Sequence, residues 1–153
     1  MTKDVILSIS GLQSPVEGEA EPLEVITRGD YYQKNDKHYI LYDEVMEGFA
    51  DVTKNTIKLQ PDCLEITKKG VSNVHMVFEK NKKNLTYYNT PFGSLLIGIE
   101  AKDIQIREQE QNMDVEVDYA LEVNYEHLAN CNIHMNIKSV DAGDFHIYGN
   151  YSE

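Results

Sequence analysis

Five histidines, at positions 38, 75, 127, 134 and 146, and two cysteines, Cys63 and Cys131, are the side chains of this sequence best suited to hold a metal. A zinc site needs several such ligands to converge, and a sequence announces it with short paired spacings. No histidine here stands in such a spacing with another histidine or a cysteine. Surface histidines are the expectation, with no metal and no cofactor. Paired carboxylates could do acid–base work, and Asp114, Glu116, Asp118 and Glu122 share one face of an alternating run. Their neighbours in the following run are asparagines, His134 and Lys138. That is the pattern of a solvated sheet exterior, whose cross-strand pairs are worth at most about 1 kcal/mol each. Ser8, Ser10, Ser72 and Ser94 lie in no nucleophile-elbow context. The chain does not read as an enzyme.

The elements that must position these groups are strands. Val115, Val117, Tyr119, Leu121, Val123 and Tyr125 alternate with Asp114, Glu116, Asp118, Ala120, Glu122 and Asn124. After a short break, Cys131, Ile133, Met135 and Ile137 alternate with Asn130, Asn132, His134, Asn136 and Lys138. A period of two gives each strand one apolar and one wet face, the mark of antiparallel strands around a core. Matching the apolar faces requires every cross-strand pair in this hairpin to sum to an even number. A three-residue loop, Glu126-His127-Leu128, would set Leu121 beside Ile133, Tyr119 beside Met135 and Glu116 beside Lys138. A five-residue loop would shift this by two and set Asp118 beside Lys138.

Similar alternation recurs along most of the chain. Runs at Val5–Gln13, Leu23–Arg28, Tyr31–Lys34 and Lys37–Glu44 lead to Thr53–Gln60, Cys63–Lys68 and Ser72–Glu79, then Asn84–Asn89 and Ser94–Arg107. Asn35-Asp36 and Pro61-Asp62 read as tight turns, and Thr90-Pro91-Phe92-Gly93 as a type I turn. Val45–Asp51 reads as a loop or a short helical turn, Gly29 as a bulge and Gly98 as a bend. No helical stripe of ten residues and no internal repeat is present. Short connections in sequence order, without the long return of a Greek key, favour a closed meander over a sandwich. The expected fold is all-β, a single antiparallel meander β-barrel of about 8–10 strands.

The 153 residues are enough to bury roughly 70% of the surface an unfolded chain of this size exposes. The net charge of −12 repels nucleic acid, and the one dense basic stretch, Lys80-Asn81-Lys82-Lys83, reads as a solvated turn. Val5-Ile6-Leu7 is too short for the apolar region of a signal peptide, and no stretch approaches the ~18 apolar residues of a membrane helix. A cytoplasmic protein is expected, with no membrane partner and with reduced cysteines. Cys131 shares the apolar parity of its strand and Cys63 the polar parity of its own, so one should be buried and the other exposed.

Several segments carry a family resemblance. They are Val5-Ile6-Leu7-Ser8-Ile9-Ser10-Gly11-Leu12-Gln13, Thr27–Lys34 with His38–Glu44, and the run from Met76-Val77-Phe78-Glu79 through Tyr87-Tyr88-Asn89-Thr90-Pro91-Phe92-Gly93 to Ile97-Gly98-Ile99. Together they resemble a family of small bacterial proteins of uncharacterised function with a lipocalin-like (calycin) β-barrel, over roughly Asp4 to Lys138. The resemblance implies a meander barrel in a cytoplasmic protein and carries no catalytic or binding residue across. It divides the chain into a barrel, residues 1–138, and a C-terminal extension, residues 139–153. Phe145 and Ile147 are expected to dock that extension as an edge strand or against a second copy of the chain.

Ten tyrosines and no tryptophan complete the picture, with adjacent pairs at 31-32 and 87-88. In a strand each pair puts one ring inside, where its hydroxyl needs a partner, a water or a ligand. Either the rings fill a narrow barrel, or the lumen holds a small hydrophobic or amphipathic ligand. For the second reading the lining would be Tyr87, Tyr119 and Leu121, with Phe92 capping the rim. The alternative is a protein–protein interaction module with a solidly packed barrel, engaging an unknown partner or a second copy in a homo-oligomer.

Overall fold

The computed structural model describes residues 1–12, 23–45 and 48–140. They form ten strands: β1 Asp4–Leu12, β2 Leu23–Lys34, β3 Lys37–Val45, β4 Val52–Gln60, β5 Cys63–Lys69, β6 Val74–Glu79, β7 Lys83–Thr90, β8 Gly93–Glu108, β9 Asn112–Val123 and β10 Glu126–Ser139. Every ladder is antiparallel, in the order β6-β5-β4-β3-β2-β1-β10-β9-β8-β7. Each strand thus pairs with its sequence neighbour, and β10 returns to pair with β1. The expected meander is present as a nearly closed barrel. Its seam lies between β6 and β7, where among the described residues the bridge Asn73–Asn89 and contacts around the Glu79–Lys82 hairpin tie the edges. Asn84 also donates across this seam to the Val77 carbonyl at 3.3 Å.

Alternation sets the inside. Val5, Leu7 and Ile9 of β1, Ile57 and Leu59 of β4, Leu64 and Ile66 of β5, and Val115, Val117, Tyr119 and Leu121 of β9 are all buried. Phe78 of β6 meets Tyr119 of β9 edge to face, ring centroids 5.0 Å apart. Those strands are not ladder partners, but Lys80 just after β6 bridges to Ala101 of β8, the partner of Tyr119, so the contact packs the core behind the seam. Asn35-Asp36 is a two-residue turn with φ of 53° and 62°, as type I′ requires.

The final hairpin keeps its parity but not the expected register. The chain turns at Asn124-Tyr125, φ 50° and 70°, two residues earlier than a Glu126–Leu128 loop would. A register shift between His127 and Ala129 then restores the even sums. Leu121 faces Ala129, Tyr119 faces Cys131, and Glu116 faces His134 in place of Lys138. The missed signal is Tyr125, since a bulky residue at positive φ is a poor advertisement for a type I′ turn. Tyr125→Gly should relieve that strain and stabilise the protein by about 0.5–1 kcal/mol, read as a higher urea midpoint. An unchanged or lower midpoint would show the turn to be unstrained.

Gly29 is not the bulge expected of it. β2 runs unbroken through Gly29, which faces Val5, and Gly98 keeps register between Leu85 and Glu122. The shifts fall at Gly11, between Ser10 and Leu12, and at Lys102, between Ala101 and Asp103. Gly11 has φ of 86°, and a Cβ there would overlap the Asn132 carbonyl oxygen, so only glycine fits. Cys63 and Cys131 are both half-buried and free, where one buried and one exposed was expected. Burial first raises both thiols, and Glu65 and Glu79 beside Cys63 raise it further. Ser139 still belongs to β10, and Val140 N–H donates to the Asp4 carbonyl at 2.9 Å. Phe145 and Ile147 lie outside the described residues.

Candidate functional site

In an up-and-down barrel the hairpins alternate between two rims. Those after odd-numbered strands form the upper rim and those after even-numbered strands the lower. Inward positions are apolar through the middle but change character near the upper rim. Glu44 continues the inward parity of Ile40 and Tyr42, Asn55 that of Ile57 and Leu59, and Lys68 that of Leu64 and Ile66. Lys68 is only 5% exposed. Its Nζ donates to Asn55 Oδ1 at 2.8 Å and to Glu44 Oε1 at 3.0 Å. Asn55 Nδ2 donates to Glu44 Oε1 and to the Thr53 carbonyl, each at 3.3 Å. A buried ammonium is costly unless paired and hydrogen-bonded, and this triad supplies both conditions.

Two tyrosines complete the cluster. Tyr42 of β3 is 6% exposed, and Tyr88 of β7, half-buried, packs against the core from the far side of the lumen. Burial first, then Glu44 and Tyr88, holds the Tyr42 phenol far above its ordinary value. Burial and then Glu44 push Tyr88 up to about 12. Both therefore stay protonated and able to donate. Because the folded values lie above those of the unfolded chain, the stability they contribute is present below about pH 10 and lost as pH rises toward 12. In an alkaline absorbance titration these two phenols should lag the exposed ones, ionising only as the barrel opens. Ionisation of all the phenols together near pH 10, with the fold intact, would contradict their burial.

The wall beside the cluster is split. β2 and β3 pair only from Asp30–Leu41 down to Lys34–Lys37. Above Asp30, β2 follows β1 while β3 follows β4. Gly29 stands at the fork, where a Cβ would come within 3.0 Å of the Leu41 carbonyl oxygen and 3.3 Å of Ile40 Cγ2. A cleft of about 480 Å³ opens there. Its lining joins outward residues, Arg28, Asp30, Asp43 and Lys54, to the inward Val5, Thr27, Tyr42 and Asn55. Lys54 and Asp43 pair at 3.2 Å on its outer lip. The cleft thus runs from the surface to the polar end of the lumen.

At the lower rim the buried polar groups are satisfied. With the His38 Nε2 proton facing Glu108 Oε1 at 3.3 Å, Nδ1 accepts from the Tyr31 hydroxyl at 2.6 Å. Burial and then Glu108 raise Tyr31, so this hydroxyl is held as a donor and not primed as a nucleophile. His38 corrects the expectation of surface histidines, since it shares the inward parity of Ile40. Among the described residues no group of three or more His, Cys, Asp or Glu could hold a metal.

The residues expected to line a ligand divide. Tyr119 and Leu121 are interior, each 3% exposed, but in the packed middle of the barrel. Tyr87 points outward, 62% exposed, because β7 is registered by Tyr88–Leu95 and Tyr87–Leu96, and Ile97 and Ile99 of β8 fix the inner face. Phe92 is 75% exposed in its turn and closes no interior. Sequence reasoning missed Glu44, Asn55 and Lys68, whose one faint signal is a polar residue at inward parity near a strand end.

A family profile described as "Domain of unknown function (DUF1934)" matches residues 7–135. The chain is 27% identical over 119 residues to the "Uncharacterized beta-barrel protein YwiB" of Bacillus subtilis (strain 168), covering 76% of this chain and 82% of that protein. The crystal structure of the ywiB protein from Bacillus subtilis superposes with a TM-score of 0.75 at 21% identity, over 91% of this chain and 93% of the other. That likeness is one of fold.

Proposed function

This chain belongs to the DUF1934 family, whose description names no ligand, and we propose from its geometry that it binds a small amphipathic molecule. The polar end of the molecule sits against Tyr42, Asn55 and Lys68 behind the split between β2 and β3. The observation that carries this reading is the cleft itself: it leads to Tyr42 and Asn55, and through Asn55 to the Lys68–Glu44 pair. A polar cluster at the inner end of a cleft, beside apolar walls, suits a ligand with one polar end. The reading moves the lumenal site of the sequence expectation upward, from Tyr119 and Leu121 to the rim. The proposal is binding and not catalysis, because burial and Glu108 keep the Tyr31 hydroxyl protonated against His38. We place the protein in the cytoplasm, where Cys63 and Cys131 stay free; among the described residues no helix is long and apolar enough to cross a membrane.

The test is saturable binding of the uncharged fluorophore N-phenyl-naphthylamine. The parent should bind it with a stoichiometry near one, and Thr27→Trp, which fills the cleft, should weaken binding at least tenfold while the protein stays folded by circular dichroism. Absence of saturable binding, or indifference to Thr27→Trp, would overturn the reading. It would favour the interaction module instead, for which the exposed Leu85 and Tyr87 of β7, Phe92 and Tyr125 supply apolar surface.

A further inference from the structure

We infer that the ligand's polar end is uncharged and both accepts and donates hydrogen bonds, as an alcohol or a primary amide does, in preference to a carboxylate or an amine. The inference rests on the binding reading above and specifies its chemistry. The charges in the cluster are already matched: Lys68 Nζ lies 3.0 Å from Glu44 Oε1, one cation against one anion. A ligand carboxylate would gain Lys68 but would have to enter beside Glu44. A ligand ammonium would gain Glu44 but would enter beside Lys68. Either would bring a third charge beside the buried Lys68 ammonium and a carboxylate already paired with it, with no unmatched partner on offer, and burying an uncompensated charge is far costlier than burying a hydroxyl.

What the cluster leaves over is neutral and two-sided. Among the described residues Lys68 uses two of its three ammonium hydrogens, on Asn55 and Glu44. The Tyr42 and Tyr88 phenols lie beside Glu44 and stay protonated, so both can donate. Glu44 takes both of its hydrogen bonds on Oε1, leaving Oε2 as an acceptor. A head group with a lone pair for the tyrosines and an O–H or N–H for Glu44 completes this set without adding charge. The outer lining is mixed in sign, Asp4, Asp30 and Asp43 with Arg28 and Lys54, and Lys54 pairs with Asp43.

The experiment uses the full chain and four ligands with the same tail: decanol, decanamide, decanoate and decylammonium. Each is titrated against bound N-phenyl-naphthylamine at neutral pH and below its micelle concentration. Decanol and decanamide should displace the fluorophore at least about tenfold more tightly than either ion. Tyr42→Phe and Tyr88→Phe, which remove a donor and little volume, should each weaken the two neutral ligands about fivefold and leave the ions nearly unchanged, as loss of one hydrogen bond predicts. Equal or tighter displacement by decanoate or decylammonium would overturn the inference. So would a bound fluorophore that none of the four displaces, with the binding reading left standing. A parent that fails to bind the fluorophore at all removes that reading itself, so the two failures are distinguishable.

Discussion

Phe78→Ala should destabilise the barrel by about 3–5 kcal/mol, the range for truncating a fully buried aromatic side chain. Phe78 is completely buried and sits on β6, beside the weakly tied seam, with its ring against Tyr119 of β9. Removing it would leave a cavity where few ladder hydrogen bonds hold the edges together. Tyr119→Ala should cost a similar amount, and Tyr119→Phe much less, because the ring and not the hydroxyl makes the edge contact. A double-mutant cycle on the two rings should show coupling of about 0.5–1.5 kcal/mol, the excess of an aromatic pair over its buried area. Urea unfolding followed by tyrosine fluorescence reads all of these. A loss below about 1 kcal/mol for Phe78→Ala would mean that the middle of the lumen has slack, and would return the ligand to Tyr119 and Leu121.

That packed middle shows how far the sequence could be read. Alternation from Met113 to Ile137 carried the strand faces, and Asn35-Asp36 and Pro61-Asp62 carried their turns, because both signals are local. Register was less legible. The Asn124-Tyr125 turn and the extra residue before Ala129 moved the last hairpin by four in its pair sums, although parity survived. Tyr87 and Tyr88 are equally large, so nothing in β7 chose the inner ring; the choice was made by Leu95, Ile97 and Ile99 across the ladder. Gly29 and Gly11 look alike in sequence. The first permits a close approach to β3 and the second sits at a bulge, a distinction set by strands that come later in the chain.

The candidate site was hidden for a related reason. Asn55 and Lys68 stand in runs with other hydrophilic residues on the outer face, and only the pairing Asn55–Lys68 puts them side by side inside. The split that exposes them is a missing ladder, and a sequence marks ladders more clearly than their absence. An acidic composition drew attention to the outer face of the last hairpin, where Asp114 binds Asn136 and pairs with His134 in an ordinary solvated arrangement.

Lys68→Ala should cost about 3 kcal/mol, near the lower end of the range for breaking a buried pair, because Glu44 is about one-third exposed and can recover some hydration. The loss has two parts: the stem of a long side chain leaves the core, and the Asn55 and Glu44 oxygens lose their cation. Lys68→Met keeps most of the stem and isolates the second part. Lys68→Met with Glu44→Leu removes both charges and should return to within about 1 kcal/mol of the parent, since a well-packed apolar replacement often equals a buried ion pair. Urea midpoints of the parent, the two single variants and the double give the coupling energy. A cost below about 0.5 kcal/mol for Lys68→Ala would show the ammonium to be hydrated through the cleft and the pair to be no buried element at all. If the double variant is as stable as the parent yet loses decanol, stability cannot be the reason for placing these charges in an apolar barrel. Their place then follows from the ligand, because Lys68 and Glu44 orient the donors and the acceptor that an apolar replacement cannot supply.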